Sequence, residues 1–234
     1  MGKKSFKKNI RRTNKRKNTE KTHPIYIVLS KTQTFPSRVI KMWTKEPYAH
    51  TSLAFDLELN EMYSFARKRL HNPFYCGFIR EDIESGVFGR DVETTCLVLR
   101  LWVTANQHKK IRRTVDQFKR NKNSYKYNYL GIAGVVFNKS VERKYNYFCS
   151  QFVYTVLDRA EVDLFKKKSG LVRPEDFRVW EEPEVIYEGK LNEYRDFLKN
   201  CYPKDIHSGD YLIEQGVNLR MIEIMNQQMG QQLG

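Results

Sequence analysis

An α+β fold is predicted: an antiparallel sheet packed against one helix that opens on a cysteine. Three observations predict it. Residues 48–56 alternate, with Thr51, Leu53 and Phe55 on one side and His50, Ser52 and Ala54 on the other, the period of a half-buried strand. Residues 95–103, Thr-Cys-Leu-Val-Leu-Arg-Leu-Trp-Val, are the clearest strand in the chain. Behind Cys149, residues Phe152, Val153, Val156, Leu157 and Ala160 recur at helical spacing to about Glu161.

The remaining elements follow in order. Residues 24–30, Pro-Ile-Tyr-Ile-Val-Leu-Ser, are apolar and β-branched and predict a strand. Pro36 suits the first turn of a short helix through Val39, Ile40 and Trp43. A tight connection at 56–60 leads into a strand over 61–66, and a short strand is expected over 75–80. Residues 105–121 form a basic helix with Ile111, Val115 and Phe118 on one stripe. The stretch 121–147 is rich in tyrosine around a compact apolar piece, Leu130–Phe137. Residues 171–177 enter a short helix, 185–189 form a late strand, and 190–200 and 208–229 read as helices before a glutamine-rich end that frays.

The 234 residues divide into a basic tail over 1–22, a folded domain over 23–200 and a helical extension over 201–234. The formal net charge is +15, but residues 1–22 hold ten Lys/Arg and one Glu, which leaves +6 on the rest. Such a tail repels itself, has little apolar surface to bury and is expected to be disordered. It offers contact to an anionic surface, or serves only as a solvated arm. No apolar run is long enough to span a bilayer and no apolar stretch follows the basic start, so a cytoplasmic protein is expected, peripheral at the membrane if the tail binds there. Cys76, Cys96, Cys149 and Cys201 lie far apart, with no metal-ligand spacing and no disulfide framework. Neither a cofactor nor a metal is expected, and Cys76, Cys96 and Cys201 read as small core hydrophobes. His23, His71, His108 and His207 sit in polar or basic stretches and read as surface residues.

Cys149 and His50 stand apart. A cysteine in the first turn of a helix meets unpaired N–H groups and the positive end of the helix dipole, which favour the nucleophilic thiolate. His50 shares a strand face with Ser52 and Ala54, both small, so the Cys149 helix is expected to pack on that face and bring thiol and imidazole together for acyl transfer.

These residues resemble a known family. His50-Thr-Ser-Leu-Ala-Phe, Met62-Tyr-Ser-Phe-Ala, Tyr127-Asn-Tyr-Leu-Gly, Phe148-Cys-Ser-Gln-Phe-Val and Val172-Arg-Pro-Glu-Asp-Phe, in that order over residues 24–190, are similar to the circularly permuted NlpC-type papain-like cysteine hydrolases, the branch that includes YiiX/YebB-like proteins and resembles lecithin–retinol acyltransferase. The permuted order, with His50 preceding Cys149, is part of the resemblance. It implies a permuted papain-like fold and a third residue on the strand after the histidine that orients the imidazole. Aligning the strands puts Ser64 there, a departure from the family's histidine, carboxylate or amide, with Glu61 and Tyr63 as fallbacks. Tyr127 matches an aromatic beside the cleft that holds substrate or the oxyanion, although taken singly Tyr127 and Tyr129 read first as partly buried core tyrosines. Ser150 and Tyr63 complete the expected substrate-binding set, and the backbone N–H of Cys149 the oxyanion hole.

The resulting expectation is a cysteine peptidase, amidase or acyltransferase acting on an amide or ester, either a muropeptide or a lipid-like substrate. The competing expectation is a degenerate, non-catalytic member that binds nucleic acid or lipid through its charge, for which no nucleic-acid motif is present. Oligomeric state has no signature in the sequence.

Overall fold

The computed structural model describes residues 20–31, 46–69, 72 and 75–202. The expected helix at 36–43, nearly all of the basic tail, His71, His207 and the helix at 208–229 lie outside the described residues. The chain divides into two compact units, residues 1–192 and 193–234. In the second, the described residues form a helix at Tyr194–Cys201, with Lys199 paired to Asp196 at 2.8 Å.

The first unit is a mixed α+β structure. Six strands, β1 (Lys21–Lys31), β2 (His50–Ala54), β3 (Met62–Arg67), β4 (Cys76–Glu81), β5 (Thr95–Thr104) and β8 (Glu184–Lys190), form one antiparallel sheet in the order β4-β3-β2-β1-β5-β8. Two short strands, β6 (Lys126–Tyr127) and β7 (Asn146–Tyr147), pair in parallel beside it. The helices are α1 (Ala105–Arg120), α2 (Tyr129–Val136), α3 (Cys149–Arg159) and α4 (Pro174–Arg178). β1 lies at the centre and is buried on both faces from Ile25 to Ser30, which is why its sequence runs apolar without alternation. It begins at Lys21, three residues before the apolar run.

One face of the sheet carries Ile25, Ile27, Leu29, Leu53, Phe65, Phe78, Leu97, Leu99 and Leu101. Against it pack Ile111, Val115 and Phe118 of α1 and Phe152, Val153, Val156 and Leu157 of α3. Phe65 sits at the centre, its ring 5.4–5.8 Å from those of Tyr147, Phe152, Phe78 and Phe118. The opposite face carries Val28, Ser30, Ser52, Ala54, Met62, Ser64 and Glu81, all buried. The Cys149 helix thus packs on the Leu53 face and not, as the small side chains suggested, over Ser52 and Ala54. The aromatic and aliphatic residues of the Leu53 face present far more apolar area to its apolar stripe.

α1 begins with a reciprocal cap: Thr104 Oγ1 accepts from the N–H of Gln107 at 3.2 Å and Gln107 Oε1 accepts from the N–H of Thr104 at 3.0 Å. Thr104→Ala is expected to cost about 1 kcal/mol, read as a lower urea midpoint at unchanged slope. His23 and His108 are not free surface residues. Their rings lie 5.3 Å apart, and burial together with Arg112 lowers the His108 pKa.

Candidate active site

β2 and β3 pair only at Leu53–Tyr63 and Ala54–Met62. Towards the start of β2 the ladder is open, and Cys149 enters there. The backbone N–H groups of Thr51 on β2 and of Ser150 stand near enough to the Cys149 sulfur to lower the thiol's pKa. α3 has Phe148 at its N-cap and no side-chain cap, whereas Thr104 caps α1 and Asn128 caps α2 by accepting from the N–H of Gly131 at 3.0 Å. An uncapped first turn costs stability but leaves its N–H groups open to an anion such as a thiolate.

His50 is the first residue of β2, and its Nε2 lies 2.8 Å from Glu81 Oε1 on β4. With Nε2 donating to the carboxylate, Nδ1 is the nitrogen left for the Cys149 thiol, which hydrogen-bonds the ring. Ser52 Oγ donates to the other oxygen of Glu81 and lies 3.2 Å from Nε2. The His50 and Glu81 side chains are 12% and 6% exposed, so the charges in this chain are held by one another rather than by water.

The electrostatics agree with the geometry. Burial works to lower the His50 pKa, but the Glu81 charge and the bonds to Cys149 and Glu81 raise it well above the ordinary value. Burial works to raise the Cys149 thiol, yet the His50 bond and charge and the N–H groups of Thr51 and Ser150 leave it lowered. Burial works to raise Glu81; the His50 charge and bond, Ser52 and Ser64 leave it lowered. Each shift favours the charged form of its group: carboxylate on Glu81, imidazolium on His50 and thiolate on Cys149. The other thiols move the opposite way: burial raises Cys76 and Cys201, and pushes Cys96 up to about 12.

Ser64 is not the partner of the imidazole. It lies on β3, between the strands of His50 and Glu81, buried and without a well-formed hydrogen bond. The Glu81 side chain crosses the face of β3 to reach His50, and a serine is small enough to let it pass. Glu61 is elsewhere, paired with Arg112 at 2.7 Å. Tyr63 points to the Leu53 face, its ring stacked on Phe78 at 5.7 Å and its hydroxyl donating to Glu61. Neither fallback reaches the site, and Tyr63 is not placed to bind substrate there. The Ser150 hydroxyl is buried and donates to the carbonyl of Val172 at 2.7 Å, so it ties α3 to the loop before α4 and leaves only its N–H to the site.

Tyr127 is brought to the site by the β6–β7 pairing, which sets it beside Tyr147, two residues before Cys149. It is half-buried. Burial, then the neighbouring Cys149, Cys76 and Tyr129, raise its pKa well above the ordinary value, so its hydroxyl stays a neutral donor. The Tyr129 ring lies 4.8 Å from it. Asn128, buried between them in sequence, donates to Gln151 Oε1 at 3.3 Å and to the Val141 carbonyl at 2.9 Å, which joins the start of α2 to the first turn of α3.

Among the described residues no group of His, Cys, Asp and Glu is arranged to hold a metal, and no helix is long and apolar enough to cross a membrane. No family model matches the chain, and no curated protein matches it closely enough to carry an inference.

Proposed function

We propose that the protein is a cysteine hydrolase or acyltransferase with a permuted papain-like arrangement, working through Cys149, His50 and Glu81. One observation carries this reading: a buried carboxylate–imidazole–thiol line that ends at an uncapped helix start. The Cys149 thiolate attacks the carbonyl carbon of an amide or ester. A carbon–sulfur bond forms, and the oxyanion is received by the N–H groups of the first turn of α3 and the Tyr127 hydroxyl. The imidazolium of His50 gives its proton to the departing amine or alcohol as that bond breaks. His50, now neutral, takes a proton from water or from an acceptor alcohol or amine, whose attack breaks the thioester and releases the acyl product. Glu81 holds the ring with Nδ1 towards sulfur and stabilises its positive state throughout. The alternative of a charge-driven binder rests on the basic charge alone; the Glu81 carboxylate beside His50 supports the catalytic reading.

Iodoacetamide labelling with mass-spectrometric mapping tests the reading. Cys149 is expected to react faster than Cys76, Cys96 and Cys201 at pH 6.5–7, where an ordinary thiol is about 97% or more protonated. Its rate rises with pH through a value below the ordinary thiol value of 9.0, because its pKa is lowered. Turnover falls again as His50 loses its proton, above its ordinary value of 6.5, because that pKa is raised. Equal rates at the four thiols, or a Cys149 profile unchanged in His50→Ala, would overturn the assignment.

A further inference from the structure

β4 is the outermost strand of the main sheet, and between it and the end of α1 lies an open groove of about 660 Å³. Tyr63 and Phe78, both buried and stacked at 5.7 Å, form its floor. Its walls carry cations from three places: Lys68 just after β3, Arg80 on β4, and Lys119 and Lys122 at and just past the end of α1. No carboxylate lines it. Asp116 lies 3.5 Å from Lys119 on the same helix, and Glu61 is held by Arg112 at 2.7 Å. Lys68, Arg80 and Lys122 make no ion pair among the described residues; the Arg80 guanidinium donates to the carbonyl of Asn60 at 2.7 Å. Like charges gathered round one hollow repel one another, a cost that an anionic occupant offsets. Cations on an edge strand also discourage strand addition, but Lys119 and Lys122 stand on the helix side of the groove, where no edge needs guarding.

The groove has aromatic as well as cationic walls. Tyr75, 47% exposed, lines it, with Lys68 Nζ 5.6 Å and the Arg69 guanidinium 5.2 Å from the ring centroid. Lys119 Nζ lies 5.3 Å from the Tyr63 ring. An acidic polypeptide would use the cations and leave the exposed ring idle. A single nucleic-acid strand uses both, its phosphates on the cations and a base against the ring. A duplex keeps its bases stacked on one another and offers the ring no face.

We propose that the groove between β4 and α1 binds single-stranded nucleic acid, with phosphates on Lys68, Arg80, Lys119 and Lys122 and a base stacked on Tyr75. Contact of this kind reads charge and a ring face, so it tolerates any base order. Glu81, on the same strand, turns to the other face of the sheet to meet His50, and the groove does not depend on the acyl-transfer reading.

The test uses the full chain and the fluorescence anisotropy of a labelled oligothymidylate roughly ten nucleotides long. Wild type is expected to bind it, more weakly as salt rises. Lys119→Gln/Lys122→Gln, folded by circular dichroism and with Cys149 alkylation unchanged, is expected to bind about tenfold more weakly. Its plot of log affinity against log salt is expected to be shallower by roughly 1.4, two phosphate contacts at about 0.7 each. Tyr75→Ala is expected to bind oligothymidylate about tenfold more weakly and an abasic strand of the same length as wild type does. All three proteins keep the basic tail, so their differences isolate the groove. Absence of binding by wild type, or equal affinity and salt slope in the lysine variant, overturns the proposal. A Tyr75→Ala effect that is absent, or the same on the abasic strand, overturns it too, because the ring then stacks on no base. So does competition by polyglutamate as strong, charge for charge, as by unlabelled oligothymidylate, since the partner is then an acidic polypeptide.

Discussion

Glu81→Ala is expected to remove most of the chemistry and part of the stability together. Without the carboxylate, His50 keeps the burial that lowers its pKa and loses the charge that raises it. It then stands neutral near pH 7, and the thiol keeps its proton. Turnover of an acyl substrate, and Cys149 alkylation near neutral pH, are expected to fall on the order of 10²-fold or more. Removing one partner of a buried pair costs roughly 3 kcal/mol, measurable as a lower urea midpoint. The pH dependence of that stability has a definite sign. The Glu81 pKa is lowered, so its contribution is present above the ordinary value of 4.5 and is lost as pH falls through the folded value. Glu81→Gln separates the two roles, since an amide still accepts a hydrogen bond but carries no charge. An alkylation profile unchanged in both variants would show that Glu81 does not act on the thiol. Ser64→Ala, in contrast, is expected to do little, and a larger residue at 64 to do harm by obstructing the path of Glu81.

The largest purely structural effect is expected at Phe65. Its ring is fully buried and meets four others within 6 Å, from β4, α1, α3 and β7. Phe65→Ala opens a cavity where both main helices meet the sheet and is expected to cost about 3–5 kcal/mol. Denaturation by urea followed by circular dichroism measures it; a loss below about 1 kcal/mol would mean that the aromatic cluster closes over the gap.

The sequence made the strands of the main sheet and helices α1 and α3 legible because their patterns are strong, alternation at 50–54, an apolar run at 25–29 and helical stripes on α1 and α3, whereas β6, α2 and β7 lie in the tyrosine-rich stretch where no period stands out. His50 and Cys149 were legible for the same reason, as reactive residue types at strand and helix starts. Glu81 was not. It ends a strand whose alternation is clear only to Phe78, and its partner lies two strands away, a distance that no local pattern encodes. Its signal was indirect: a glutamate on the same strand face as Ile79 must be buried, and a buried carboxylate needs a cation. The face on which α3 packs was misjudged because small residues at Ser52 and Ala54 suggested room for a helix, while Ser64 shows that small residues on this face also leave room for a side chain.

The open end of the β2–β3 ladder bears on the order in which the protein is made. Strands β1 to β5 are complete at Thr104, so the base and its carboxylate can assemble on the sheet while Cys149 is still unsynthesised. On a nascent chain the cysteine is then an ordinary thiol, largely protonated and slow towards electrophiles. Only when α3 seats in the opening does the sulfur meet Thr51 and the imidazole. The thiol and its partners thus come from chain segments made far apart, and their meeting waits on the seating of α3, with α4 and β8 still to follow.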